Sequence, residues 1–359
     1  MPPRVRPLSR LCSVPAPPAA VFPPATQSGA LVRGGACLRQ AGGHVRPWSS
    51  SNAQNREKLP PLSLLAHQHL AGNGPGGFVP YDKAQAAQEV LRARLLAWKN
   101  LPDNERPDPP RPHLLTFEAT PTITLGRRQS TLTPAHISRL QAPLRIALPH
   151  RVDPVSEVSF RPDVRQTARG GLTTYHGPGQ VVFWPVLDMH SPQYSRYSVV
   201  SYAAHLEATT RNLLAELFGL ETYTNRDEPG VWAKTSAGQP ERKIAALGVH
   251  HRRHVTSLGI ALNVDVPLSG PEDVNPWARF VPCGLDGKLV TSVEAELQER
   301  GGGASGLAES GLTMADIAAR WARLFEEGLR DETKREVDEG ALLTKLTPDL
   351  AFLATAWFP

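Results

Sequence analysis

Cys283 stands between Pro282 and Gly284, after an apolar lead-in and just before the turn at Asp286 to Lys288. A proline stiffens the approach, and a glycine leaves the amides that follow the sulfur open to a ligand. The nucleophilic form of cysteine is the thiolate, so a working cysteine needs a cation or a base beside it. Two residues qualify by type, Lys243 and His176; either can serve, and spacing does not choose between them. The chain has 3 cysteines, of which Cys12 and Cys37 fall in a basic N-terminal segment of different character. That leaves Cys283 alone in the remainder, which excludes a disulfide framework and a cysteine-based metal site. His250 and His254 lie four apart, but no cysteine or carboxylate stands beside them and a turn is expected between them, so no metal site is read there either.

Three stretches must bring these residues together. The first, Arg169 to Asp188, reads RGGLTTYHGPGQVVFWPVLD, in which four glycines and two prolines precede or punctuate an apolar run, Val181 to Leu187, expected to be a buried strand. Glycine at this density belongs where main chain turns sharply or where another molecule comes close to it, so the stretch reads as the wall of a binding site. The second, Lys243 to Val264, holds two β-rich runs, Ile244 to Val249 and Val255 to Val264, on either side of a His/Arg turn. The third, Phe280 to Val293, carries the cysteine. Helices are expected over Asp82 to Trp98 (apolar face Ala87, Val90, Leu91, Leu95, Trp98), Ser195 to Phe218 (ended by Gly219) and Met314 to Leu329. Short strands are expected at Leu114 to Glu118 and Thr122 to Leu125, a hairpin-type loop at Lys234 to Arg242, a polar surface insertion at Pro149 to Gln166, and a linker at Gly301 to Gly306. A formal GxGxxG at Gly72 to Gly77 is spurious as a dinucleotide site, since no strand precedes it and Pro75 interrupts it. Helices and strands alternate without a repeat, which points to one α/β or α+β domain.

From Met1 through Arg56 there is no Asp or Glu, while Arg4, Arg6, Arg10, Arg33, Arg39, Arg46 and Arg56 recur among Ser, Ala, Pro and Gly. This is the composition of a mitochondrial import presequence, so residues 1–55 are expected to be a targeting segment and residues 56–359 a single catalytic domain in the mitochondrial matrix. Of the 39 Lys+Arg, 6 lie in positions 1 to 50, which leaves 33 against 34 Asp+Glu. The net charge of +5 therefore belongs to targeting and gives no nucleic-acid footprint. No apolar run approaches the ~20 residues that cross a bilayer.

The three stretches together resemble the signature segments of the octanoyltransferases of lipoate synthesis, and TITLGRR resembles their upstream strand. The resemblance runs from about Tyr81 to Gln298 with the segments in the family's order. It implies a mixed β-sheet flanked by helices, similar to the catalytic domain of biotin and lipoate protein ligases. The implied reaction transfers octanoyl from acyl carrier protein to a lysine of lipoyl domains, in 2-oxoacid dehydrogenase complexes and the glycine cleavage H protein. Carried over residue by residue, Cys283 would take the acyl group as a thioester, and Lys243 would lower its pKa and act as base. Arg169, Gly170, Gly171, Leu172, Thr173, Thr174, Tyr175 and His176 would line the acyl and pantetheine channel with Ala246, Leu247, Gly248, Gly259, Ile260 and Ala261. His176 would then position groups rather than act as the base, and amides at Gly177 or Gly284 would face an oxyanion. An acyl thioester is already activated, so no cofactor, ATP or metal is expected, and nothing demands more than a monomer. The cluster from His250 to His254 is read first as a solvated strand end, and second as part of a basic rim, with Arg127, Arg128, Arg252 and Arg253, for acidic carrier or lipoyl domains. One departure stands out: where many members carry histidine before the glycine of the second segment, this chain has Leu258 in TSLG. The competing readings are an ATP-dependent lipoate or biotin ligase, a Cys/His hydrolase, and a non-catalytic scaffold of the same fold.

Overall fold

Side chains alternate across a strand, so the two faces of a central strand name the layers packed on them. The computed structural model of the chain describes residues 63–235, 238–281, 287–301 and 306–330. The expectations for residues 1–55, for Cys283 with Pro282 and Gly284, and for the middle of the Gly301 to Gly306 linker lie outside the described residues. In chain order the elements begin with β1 (Ala66–His69), α1 (Tyr81–Asn100), β2 (His113–Phe117), β3 (Thr122–Leu125), α2 (Pro134–Leu140), β4 (Leu144–Leu148), β5 (Val155–Phe160) and β6 (Asp163–Gln166). There follow β7 (Thr173–His176), β8 (Gln180–Val186), α3 (Val199–Phe218), β9 (Thr222–Thr224), β10 (Gly230–Ala233), β11 (Arg242–Arg252) and β12 (Val255–Asn263). The last are β13 (Leu289–Val290), α4 (Val293–Gly301), α5 (Gly306–Ser310) and α6 (Met314–Arg330).

The main sheet runs β1-β2-β8-β12-β11-β10-β9, with β13 added beside β11. It is mixed: β1 on β2 and β13 on β11 are parallel, and the other pairs are antiparallel. Along β8, Val181 and Phe183 join Tyr202, Leu206 and Leu213 of α3 and Ile317, Trp321 and Phe325 of α6. Val182 and Trp184 face the other way, toward Tyr81 and Ala84 of α1. Helices on both faces explain why every residue of β8 and of β12 is buried. This is the fold class expected from sequence, a mixed sheet flanked by helices. A smaller sheet, β6-β3-β7, and the hairpin β4-β5 share a separate core with Phe78, Leu140 and Tyr175.

Four expectations need correction. Residues 149–166 are not an irregular insertion, because β5 pairs with β4 and β6 pairs in parallel with β3; polar residues on half-exposed strands hide the alternation. Within that region Arg151 turns inward to Glu118 at 2.9 Å, both side chains being buried. On α1 the buried stripe is Tyr81, Ala84, Gln88 and Leu95, while Val90 is 52% exposed. Strand β1, at the sheet edge, falls in a stretch read only as polar and Gly/Pro-rich. The hairpin expected between the two β-rich runs is present, but β11 continues through Arg252, so the turn shrinks to Arg253 and His254, both left-handed at φ 51° and 65°. Helix α3 starts at a capping box of Ser198 and Ser201 and stops at Gly219, left-handed at φ 62°.

Candidate active site

A narrow cleft opens where β7 of the small sheet faces β11 and β12 of the main sheet, roofed by the first turn of α1. Counted out through its mouth and including open solvent, its empty space is about 390 Å³. Of the residues expected to line a channel, Arg169, Thr174, His176, Ala246, Leu247, Gly248, Gly259, Ile260 and Ala261 line this cleft. Gly170, Gly171, Leu172, Thr173 and Tyr175 do not. Gly171 and Leu172 instead dock their carbonyls on the amides of Arg128 and Gly126. Thr173 donates its hydroxyl to Gln129 at 2.7 Å, and Tyr175 is fully buried in the small-sheet core beside Trp277. The sequence missed Tyr81, Val182 and Trp184, which form the apolar end of the cleft. Val182 and Trp184 carry the signal of a buried strand and nothing more, and Tyr81 that of a helix start.

Glycines make the cleft thin. Gly248 and Gly259 face each other across β11 and β12. A Cβ on Gly259 would lie 2.1 Å from the Phe183 carbonyl oxygen, and one on Gly248 would lie 2.9 Å from Cδ of Arg169. Arg169 therefore lies against bare backbone, and its guanidinium donates to the Thr124 carbonyl at 2.6 Å and to the Thr124 hydroxyl at 2.9 Å. Gly179, at φ 84°, closes the turn into β8, where a Cβ would meet the Asp265 carbonyl at 2.2 Å. Its amide donates to Glu118 at 2.9 Å, which ties the buried Glu118–Arg151 pair to this turn.

His176 is held by a relay of amides. Asn263 donates to the Thr291 carbonyl at 2.9 Å and accepts from Gln180 at 2.9 Å. Gln180 has spent its NH₂ on Asn263 and the Tyr175 carbonyl, so its oxygen accepts from Nδ1 of His176 at 2.7 Å. Nε2 is then the unprotonated nitrogen of the neutral ring. Burial lowers the His176 pKa to about 4, the Gln180 hydrogen bond opposing it and the Arg169 charge adding to it. Tyr81 stacks on the ring, with centroids 5.7 Å apart. A ring this hard to protonate is a poor base near neutral pH and a good fixed acceptor.

Lys243 lies on β11, three residues before Ala246 of the cleft. It is buried, its Nζ donates to the Pro229 carbonyl at 3.1 Å, and it sits 4.5 Å from the centre of the Trp232 ring. Gly230 lets β10 approach β11 closely, since a Cβ there would lie 2.4 Å from the Ala245 carbonyl oxygen, and its φ of 130° favours glycine. Glu207 of α3 caps the Gly230 amide at 2.7 Å; burial raises its pKa first, while that hydrogen bond and the Lys243 charge oppose the rise. Lys288 reaches the same Trp232 ring at 5.1 Å, held by Glu228 and by Glu241 at 2.8 Å. β13 then pairs Val290 with Lys243, so the chain that leaves Cys283 runs beside the lysine seven residues later.

Leu258 keeps the position noted in the sequence and adds a strain. Its φ is 60°, a left-handed conformation that costs a residue with a Cβ roughly 1–2 kcal/mol. Among the arginines expected at the rim, Arg253 turns to the C-terminal end of α1 and bonds Asn100, whereas the Arg127 charge acts on His250 of β11.

The family model described as the lipoyl protein ligase A/B catalytic domain matches residues 86–325. A mitochondrial octanoyl-[acyl-carrier-protein]:protein N-octanoyltransferase of Danio rerio is 32% identical over 223 residues, which cover 62% of this chain and 80% of that protein. An octanoyltransferase of Mycobacterium marinum is 42% identical over 135 residues, 38% of this chain and only 52% of the relative. Among solved structures, the bipartite lipoate protein ligase of Thermoplasma acidophilum covers 74% of this chain and 82% of its own at 13% identity and a TM-score of 0.39, too distant to bear on activity.

Proposed function

The chain belongs to the lipoyl protein ligase A/B catalytic-domain family and to its octanoyltransferases, and from that premise we propose that it transfers octanoyl from acyl carrier protein to lipoyl-domain lysine through Cys283. The register of β13 on β11 carries this reading, because it pairs the strand that follows Cys283 with a buried lysine three residues before Ala246 of the cleft.

In the first half-reaction Lys243 serves as the base that takes the Cys283 proton, and the thiolate attacks the carbonyl carbon of the carrier thioester. The bond from that carbon to the carrier sulfur breaks, and the leaving thiolate takes the proton back from Lys243. Octanoyl-Cys283 remains. In the second, the target lysine amine attacks the same carbon, its proton passes to Lys243, and the bond to Sγ breaks as the amide forms. The thioester is spent in making the amide, so no nucleotide enters. His176, neutral and accepting at Nε2, orients an incoming N–H, either of pantetheine or of the target amine. The acceptors are lipoyl domains of 2-oxoacid dehydrogenase complexes and the glycine cleavage H protein. The work takes place in the mitochondrial matrix, to which residues 1–55 direct the chain; a reporter fused to those residues that stays outside mitochondria removes the targeting reading.

Intact mass spectrometry after incubation with octanoyl-carrier and no nucleotide tests the chemistry. The expected result is one octanoyl adduct on the wild type that a lipoyl domain discharges and that Cys283→Ser lacks. A wild type that transfers only when ATP is added is a ligase, and the acyl-cysteine mechanism fails.

A further inference from the structure

Leu258 faces the wrong way for its place in β12. Ile260, Leu262 and Val264 put their side chains into the core under α3 and α6, and Ala261 puts its own on the cleft side. Strict alternation sends Leu258 with Ile260. Instead it packs with Tyr81, Val182, Trp184 and Ala261, and it lines the cleft.

The cause lies on the neighbouring strand. β12 pairs with β8 from Ile260↔Phe183 to Asn263↔Gln180, and the isolated bridge Asp188↔Val255 keeps the same register. In that register Leu258 stands opposite Pro185. Two residues away the Thr256 amide donates to the Leu187 carbonyl, so Leu258 and Pro185 fall on the next hydrogen-bonded pair of the ladder. Proline has no N–H to give, and its carbonyl is taken by the Thr256 hydroxyl at 2.9 Å. The ladder opens here, Leu258 goes left-handed, and its freed amide donates to the buried Oε1 of Gln88 at 3.2 Å. Gln88 thus occupies a core position of α1 for the sake of one backbone amide in the cleft wall.

We infer that Leu258, turned inward by Pro185 and held by Gln88, is the stop that limits the length of the aliphatic chain this cleft accepts. The inference rests on the acyl-transfer reading of the cleft and names the residue that sets its substrate range. The other walls of the apolar end are two aromatic rings locked in edge contact, Tyr81 and Trp184 at 5.2 Å, and short side chains. Leu258 is the aliphatic side chain whose removal opens that end without disturbing the rings.

Leu258→Gly tests this with its backbone strain relieved, because glycine adopts φ 60° freely, which offsets part of the packing lost with the buried side chain. Calorimetric binding of saturated carboxylates of six to fourteen carbons is compared in wild type, Leu258→Gly and Leu258→Ala. Each methylene newly buried strengthens binding roughly fourfold, so room for two more shifts the preference for the twelve-carbon over the eight-carbon probe by roughly fifteenfold in both variants. Thermal melting is expected to place Leu258→Gly above Leu258→Ala, since alanine keeps the left-handed strain. An unchanged length preference in both variants, or no binding by any of the proteins, overturns the inference. The octanoyl adduct on Cys283 is read in the same samples. An adduct with an unmoved length preference sinks the stop and leaves the transfer standing; a moved preference without an adduct does the reverse.

Discussion

Lys243 directs its Nζ both to the Pro229 carbonyl and over the face of the Trp232 ring, so its place is set by its polar head. Methionine fills much of that volume without a titratable group. Lys243→Met is expected to slow single-turnover acylation of Cys283 by roughly 10²–10⁴-fold, the usual worth of a positioned base. Near-native circular dichroism should accompany the loss; normal acylation would remove the lysine from the base role. His176 adds a pH dependence whose sign follows from burial. Its pKa of about 4 in the fold stands against 6.5 in the unfolded chain, so the unfolded state binds more protons between those values. Stability from this group is complete above pH 6.5 and is lost as the pH falls toward 4, by roughly 3 kcal/mol. Urea midpoints of His176→Gln should fall less steeply than wild type over that window. His67, also lowered to about 4 mainly by burial, acts in the same direction. Asp265 acts in the opposite direction. Burial is the first cause raising it to about 7, and its Oδ2 has no hydrogen-bond partner among the described residues. The fold therefore binds the extra proton between pH 3.8 and 7, and stability drops as the pH rises through that range. Asp265→Asn should raise the urea midpoint at pH 8 and change it little at pH 4; an equal effect at both would discard the titration.

At the scale of elements, the hairpin β11-β12 decides how closely a ligand approaches main chain. Its two facing glycines should not behave alike. Gly259→Ala drives a methyl into the Phe183 carbonyl of β8, a backbone atom in the middle of the sheet. The expected loss is about 2–3 kcal/mol or more, read as a lower urea midpoint. Gly248→Ala meets the Arg169 stem instead, and a side chain can shift. That variant should melt near wild type while binding acyl probes more weakly, because Arg169 is pushed from Thr124. Equal stabilities for the two would show that the sheet yields at Gly259. The three helices expected from periodicity are present to within a few residues of their bounds. Their inward faces were less legible. Gln88 is buried in α1 because a distant strand needs an acceptor, and no local pattern announces that. Strands β5 and β6 escaped notice for a related reason, since their partners β4 and β3 hide one side while polar residues cover the other.

Over the whole molecule, the sheet separates a structural face from a working face. Trp321 of α6 stacks on Phe183 at 4.5 Å and on Phe325 at 5.0 Å, and its indole N–H donates to Thr210 of α3 at 3.0 Å. Its truncation to alanine should cost about 3–5 kcal/mol of stability, while the acyl-length preference of the folded fraction stays as in wild type. A changed preference would mean that the two faces are coupled through β8. What the sequence by itself determined is the set of parts: a cysteine between proline and glycine, a lysine and glycines at the heads of β-rich runs, and a sheet-forming alternation. These follow from local chemistry, from the backbone freedom of glycine and from periodicity, all of which are written within a few residues. Only the tertiary structure decided which parts meet. It set Lys243 beside the strand that follows Cys283, kept Tyr175 out of the cleft, brought Tyr81 in, and turned Leu258 over. Those outcomes depend on register and on hydrogen bonds between residues far apart in the chain, such as Gln88 and Leu258, and a proline in one strand changes the neighbour it fails to bond.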